Sequence, residues 1–191
     1  MRLTRNLKLI WKLLRGKKHP FFEPTIELKH IHNGKVIYHA KGIAKAWNGL
    51  MDAGEQNVLD VYFRNQNAPT TFYLGLGNNG GTPGIPAENA TLADITEVSG
   101  TGYARQEITR DTTGWPTLAQ DSSDGDYYVT SKQVGFVNSG TSDWTSADYL
   151  FITDAASGTT GKLLVCIALS SSRVLKPSDE LDAKVDQGKL S

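Results

Sequence analysis

Four histidines, one cysteine and scattered carboxylates are the side chains in this 191-residue chain that could do chemistry. His19, His30, His32 and His39 all fall in the first forty residues. Asn33-Gly34 is a turn pair that accepts positive φ at both positions, so Thr25–His32 and Lys35–Lys41 are expected to form a hairpin. A two-residue loop pairs Ile31 with Val36, His30 with Ile37 and Leu28 with His39. His30, His32 and His39 then share one face. Three imidazoles would suit a metal, but their diagonal spacing is loose and no carboxylate completes the set, so an aromatic-polar interface surface is expected there instead. Asp121, Asp124 and Asp126 cluster around Gly125 without the spacing or terminal Glu of a calcium loop, and read as solvated acids. Gly75–Gly80 matches the letters G-x-G-x-x-G. Gly81, Pro83, Gly84 and Pro86 forbid the helix whose N-terminus would hold a phosphate.

Cys166 sits in the apolar run Leu163–Leu169 and reads as a buried, inert thiol. As the one cysteine it excludes an intrachain disulfide, and there is no Cys/His zinc spacing. No base stands near a nucleophile and no G-x-S-x-G elbow occurs. No catalytic set, metal, cofactor or small-molecule substrate is expected, and the chain is not read as an enzyme. Trp115 and Trp144 lie in polar loops. They are read as loop anchors, with a carbohydrate platform as the alternative.

The elements that would position these residues are mainly strands. Thr71–Leu76, Ala104–Thr109, Tyr127–Phe136, Tyr149–Thr153, Leu163–Leu169 and Glu180–Val185 carry strand patterns separated by loops rich in Gly, Ser, Thr, Asn and Asp. Ile43, Ala46, Trp47, Leu50 and Met51 step at helical spacing, Asp52-Ala53-Gly54 interrupts them, and Val58, Leu59, Tyr62 and Phe63 resume the period to Arg64. The expected fold is mainly β (α+β), a β-sandwich or jelly-roll-like body with an N-terminal amphipathic helix, a β-hairpin and a linking helix. The expected divisions are 1–19 for a basic arm, 20–66 for hairpin plus helix, and 67–191 for the sandwich.

Charge divides the chain further. Residues 1–45 hold eleven Lys/Arg against Glu23 and Glu27, a net +9, and residues 46–191 are −9. In the arm, Leu3, Leu7, Ile10 and Leu14 fall on one helical stripe flanked by Trp11 and Leu13, with Arg5, Lys8, Lys12 and Arg15 opposite. Lys8 and Lys12 break any secretory apolar stretch, and Gly16 then Pro20 end the helix. Such an arm suits docking on a protein partner through Leu3, Leu7, Lys8, Ile10, Trp11, Lys12 and Leu14. Packing on its own body, a membrane surface and nucleic acid are the lesser alternatives.

Four phrases then carry a resemblance: Leu50-Met51-Asp52-Ala53-Gly54, Phe72-Tyr73-Leu74-Gly75-Leu76-Gly77-Asn78, Thr91-Leu92-Ala93-Asp94-Ile95-Thr96-Glu97-Val98, and Gly100-Thr101-Gly102-Tyr103-Ala104-Arg105-Gln106. In this order they resemble small tailed-bacteriophage virion structural proteins of the head, neck or tail, over about residues 46–191. The resemblance implies a structural role in the virion, with no enzymatic activity; the charge division adds other virion proteins and copies of the chain itself as expected partners, and the expected location is the virion, assembled in the host cytoplasm. A carbohydrate- or host-surface-binding β module is the alternative. The last phrase also has a direct physical reading. Tyr103 can bury its ring while its hydroxyl reaches a backbone carbonyl, and Arg105 can pair with Glu97 or Glu107 to pin the loop.

Overall fold

A computed structural model describes residues 25–42, 49–120, 122 and 127–190. Its elements are β1 (Thr25–His32), β2 (Lys35–Gly42), β3 (Gly49–Leu50), α1 (Asp52–Phe63), β4 (Thr71–Gly77), a 3-10 turn (Leu92–Asp94), β5 (Gln106–Thr109), β6 (Thr117–Gln120), β7 (Tyr127–Thr130), β8 (Val134–Val137), β9 (Ala147–Thr153), β10 (Leu163–Arg173) and β11 (Glu180–Leu190). Two antiparallel sheets make the expected sandwich. One runs β2-β1-β11-β7-β6 with β8 also paired to β11, and the other runs β3-β10-β9-β4-β5.

The first sheet alternates along its strands. Ile26 and Leu28 of β1, Phe136 of β8, and Leu181, Ala183 and Val185 of β11 point inward, as period-two patterning requires of a sheet with one wet face. The second sheet is covered on both sides. Leu74, Leu76, Leu150, Ile152, Val165 and Ile167 face the first sheet. On its outer face Tyr149, Phe151, Leu163 and Cys166 pack with Met51 and Leu92 beneath the segment that follows β4. Hence every residue of β9 and the first seven of β10 are buried, matching the unbroken apolar run in the sequence.

Several expectations are corrected. The hairpin is not peripheral: β1 pairs with β11 over Thr25–Ile31 and is an interior strand of its sheet. Its register also shifts. Ile31 faces Val36 as expected, but an irregularity between His30 and Ile31 places Tyr38 opposite His30, and His39 opposite Lys29. The extra residue moves every later side chain of β2 to the other face. Leu50 is in a strand, paired with Val165, and Asp52-Ala53-Gly54 opens the helix instead of breaking it. Gly54 fits because a Cβ there would stand 2.1 Å from the Leu164 carbonyl oxygen, so the helix lies directly on β10. The single strand expected over Tyr127–Phe136 is two. Ser131 leaves the ladder between them, and its hydroxyl accepts from the Val185 N–H at 3.0 Å. Thr117–Gln120, expected as loop, is the edge strand β6.

Candidate interaction site

The residues singled out for chemistry are mostly occupied in holding the sandwich together. In β4, Gly75 is opposite Phe151 and Gly77 opposite Tyr149. A Cβ would come within 2.2 Å of the Phe151 ring at Gly75 and 2.0 Å of the Tyr149 ring at Gly77. The first two glycines of the G-x-G-x-x-G letters therefore make room for neighbouring aromatic rings. The loop beyond turns its N–H groups inward. Asn79 and Gly81 donate to Asp148 Oδ2 at 2.5 and 2.9 Å, and the Ser146 hydroxyl lies 3.2 Å from the same oxygen. Burial raises the Asp148 pKa, but hydrogen bonds from Ser172, Asn79, Gly81 and Ser146 outweigh it and hold the carboxyl below its ordinary range. Donors that would cradle a phosphate are committed to an internal carboxylate.

The Gly-Tyr-Ala-Arg phrase behaves as its chemistry suggests. Arg105 donates from Nε and Nη2 to Glu97 at 3.2 and 2.5 Å, and from its fork to the carbonyls of Ala155 and Gly158, both at 2.7 Å. Its side chain is 2% exposed, and the guanidinium lies 5.3 Å from the centre of the Phe151 ring. The Tyr103 hydroxyl donates to Glu97 and accepts from the Leu76 N–H, while its ring stacks on Phe136 and meets Trp144 edge-on. Burial first, then the Glu97 charge, pushes the phenol pKa up. One arginine thus ties together the loop before β5 and the turn after β9.

The histidines form a second clamp. His30 is buried, and its Nε2–H donates to Asp179 Oδ2 at 2.8 Å. His32 Nδ1 bonds to the other Asp179 oxygen, and the Lys176 N–H donates to Oδ2 at 2.9 Å. Burial raises the Asp179 pKa, but the bonds from His32, Lys176 and His30 prevail and hold it below the usual carboxylate value. A carboxylate does lie on this face, contrary to expectation, supplied from 149 residues away. His39 is on the opposite side, bonded to Glu27 at 3.1 Å, so the three imidazoles do not share a face. Among the described residues no group of three His, Cys, Asp or Glu is arranged to hold a metal. Cys166 is fully buried, which pushes its thiol pKa up. Trp144 is 2% exposed and donates to the Thr101 carbonyl at 3.0 Å, so it anchors a loop and offers no platform to a sugar. Trp115 is half-buried, edge-on to Phe72. An open cleft of about 350 Å³ between Asn67–Thr71 and Lys162 includes Asp154, but that carboxylate already accepts the Lys162 N–H at 2.7 Å.

What remains open is the outer face of α1. Asp52, Glu55, Gln56, Leu59, Tyr62 and Phe63 are exposed along it, at the spacing of one helical stripe. Leu59, Tyr62 and Phe63, which carry the helical period, are 55%, 83% and 76% exposed. The helix instead seats itself through Gly54, its one buried residue. Its end is fastened by Arg64, which binds Asp60 one turn back at 2.7 Å. The arm residues Leu3, Leu7, Lys8, Ile10, Trp11, Lys12 and Leu14 lie outside the described residues, as do Asp121, Asp124 and Asp126.

A family model described as podophage GP4 fiber I protein gp80 matches residues 49–191. The chain belongs to this family. It is accordingly a structural protein of the bacteriophage virion. The match begins at the first residue of β3 and takes in α1, the second sheet, the Arg105 clamp and Asp179. Residues 1–48, with the basic arm and the hairpin, precede it. No curated protein matches the chain.

Proposed function

We propose that the chain is a non-catalytic virion subunit, assembled in the host cytoplasm, that docks on neighbouring subunits through residues 1–19. Leu3, Leu7, Ile10, Trp11 and Leu14 supply the apolar contact, and Lys8 and Lys12 the electrostatic one. Its partners are other virion proteins and copies of itself. The observation that carries this reading is where the charge falls. With the hairpin built into the body, residues 1–24 hold seven Lys/Arg against Glu23, a net +6, and residues 25–191 are −6. A compact acidic body with a cationic amphipathic segment before its first strand suits electrostatic steering onto another acidic subunit, followed by burial of the apolar stripe. Burying four aliphatic side chains contributes on the order of 6–10 kcal/mol before ordering costs.

The test is incorporation into particles of a chain truncated before Phe21. Loss of incorporation with an unchanged melting temperature is the expected result. Normal incorporation would overturn docking by the arm. Attachment should also weaken as salt shortens the Debye length below about 10 Å.

A further inference from the structure

We propose that the solvent face of the first sheet seats α1 of a second copy of this chain, an inference that makes no use of residues 1–24. The strand register builds that face row by row. Val36 lies opposite Ile31, Ile31 opposite Glu180, and Glu180 opposite Val137. Directly opposed residues point the same way, and the neighbours His30, Leu181 and Phe136 are buried on the other side. The row is therefore an apolar band across four strands with one carboxyl in it, and Val36 and Val137 are 55% and 49% exposed. Further along β1 on the same face, Glu27 stands between Lys41 and Lys184.

The carboxyl in the band is short of a cation. Glu180 Oε1 and Asp182 Oδ1 converge over Gly135, 2.6 and 3.1 Å from where a Cβ would stand. The Gln133 amide donates to Asp182 at 2.6 Å, but among the described residues neither carboxyl joins an ion pair. Burial first, then the Asp182 charge, raises the Glu180 pKa.

The exposed side of α1 carries the complement in the same order. Leu59, Tyr62 and Phe63 form its apolar end, and Asp52 and Glu55 form its acidic end. Arg64 follows the apolar end with its side chain 70% exposed; Nη1 binds Asp60, and Nε and Nη2 can meet the carboxyl pair. At 1.5 Å per residue, Asp52 and Glu55 stand about 10–12 Å from Leu59 and Phe63. At about 3.3 Å per residue, the lysine row of the sheet stands about 13 Å from the apolar band. Laid along β1, α1 sets its apolar end and Arg64 on the band and its acids beside Lys41 and Lys184. Reversed, it sets acids on Glu180 and Asp182, and aromatic rings on lysines.

The occupant is a second copy because the chain cannot seat its own helix there. Met51, at the start of α1, belongs to the outer cluster of the second sheet, and Gly54 lies on β10. Both sheets therefore stand between α1 and the solvent face of the first. Two copies meet through different surfaces, so the contact adds copies head to tail in a ring or a stack.

The experiment mixes two full-length variants, Tyr62→Cys and Val36→Cys, and adds a short bismaleimide, which spares Cys166 because that thiol is fully buried. The mixture should give a product of twice the chain mass, joined between positions 62 and 36. Neither variant alone should give it, nor should Tyr62→Cys mixed with Leu118→Cys, whose site on β6 is 75% exposed. Sedimentation of untreated protein should show self-association weakened at least tenfold by Leu59→Ser/Tyr62→Ser/Phe63→Ser and by Lys41→Glu/Lys184→Glu. Adding Asp52→Lys/Glu55→Lys to the second variant should restore it. Melting temperature checks that each variant is folded, and the serine variant decides should the lysine variant unfold. Equal cross-linking in the Leu118→Cys mixture, a doubled product from either variant alone, or association that the folded variants do not weaken overturns the proposal. A chain that sediments as a monomer at every concentration overturns it as well.

Discussion

Glu97 and Asp179 perform the same task at two places in the sandwich, and the difference between them lies in what each carboxylate holds. Glu97 binds Arg105, a cation at any pH a protein survives. Asp179 binds two imidazoles and a backbone N–H. The first clamp lies wholly inside the family-matched body. The second reaches from that body to the hairpin, whose residues precede the match. A permanent charge pair locks the loops of the body, and a set of titratable groups fastens the added hairpin.

The comparison breaks most sharply at Arg105. Arg105→Met should destabilise the chain by about 3–5 kcal/mol, because it leaves Glu97 without its cation and two carbonyls without donors. Urea denaturation measures this directly. A loss under about 1 kcal/mol would mean that the loops hold without the clamp.

Asp179→Asn comes next, at about 1–3 kcal/mol, since the amide keeps the shape but loses the charge-assisted bonds. The pH dependence has a definite sign. The folded pKa of Asp179 lies below its unfolded value, so its contribution is complete above about pH 4 and is lost as pH falls through the folded pKa. Wild-type stability should therefore decline more steeply below pH 4 than that of Asp179→Asn. Parallel declines in acid would show that Asp179 is not the group responsible.

These two clamps were unequally legible. Arg105 and Glu97 belong to neighbouring phrases and their charges announce a pair. Asp179 lies in a turn between two strands, and nothing near it in sequence points to residues 30 and 32. The turn at Asn33-Gly34 was readable because it needs positive φ, and it has φ of 49° and 73°. The irregularity two residues earlier has no such local mark, and it alone misplaced His39. β6 was missed because Thr117, Leu118 and Gln120 of this four-residue edge strand are exposed, leaving too little alternation to stand out from the turns around it. The helical period over Val58–Phe63 was legible, but the start of α1 was misplaced at Asp52-Ala53-Gly54, and periodicity could not say that Leu59, Tyr62 and Phe63 stay exposed. Sequence records the glycines of β4 as letters of a motif. The rings that require them stand more than seventy residues away.

His32 offers a finer division of the second clamp. Its side chain is 40% exposed, whereas that of His30 is 5% exposed, and both bind the same carboxylate. His32→Ala should cost about 0.5–1 kcal/mol, since water replaces the lost donor, and His30→Ala should cost about 2–3 kcal/mol through the cavity it leaves as well. Equal costs would show that the buried and half-exposed imidazoles are equivalent.

The smallest effect belongs to His39, and it tests the register. If the hairpin kept regular pairing, His39 would share a face with His30 and His32, and its removal would disturb that cluster. With the shift, its neighbour is Glu27, whose own side chain is 22% exposed. His39→Gln should then change stability by under about 0.5 kcal/mol, the scale of a solvent-screened surface pair. It should leave untouched the acid-side slope attributed to Asp179, because Glu27, not Asp179, loses a partner. The same geometry bears on metal binding, since a zinc site needs a third ligand that His39 cannot supply from the opposite face. Melting in excess chelator should match melting without it, in wild type and His39→Gln alike. A drop on chelation that His39→Gln removes would restore the three-imidazole face and overturn the shifted register with it.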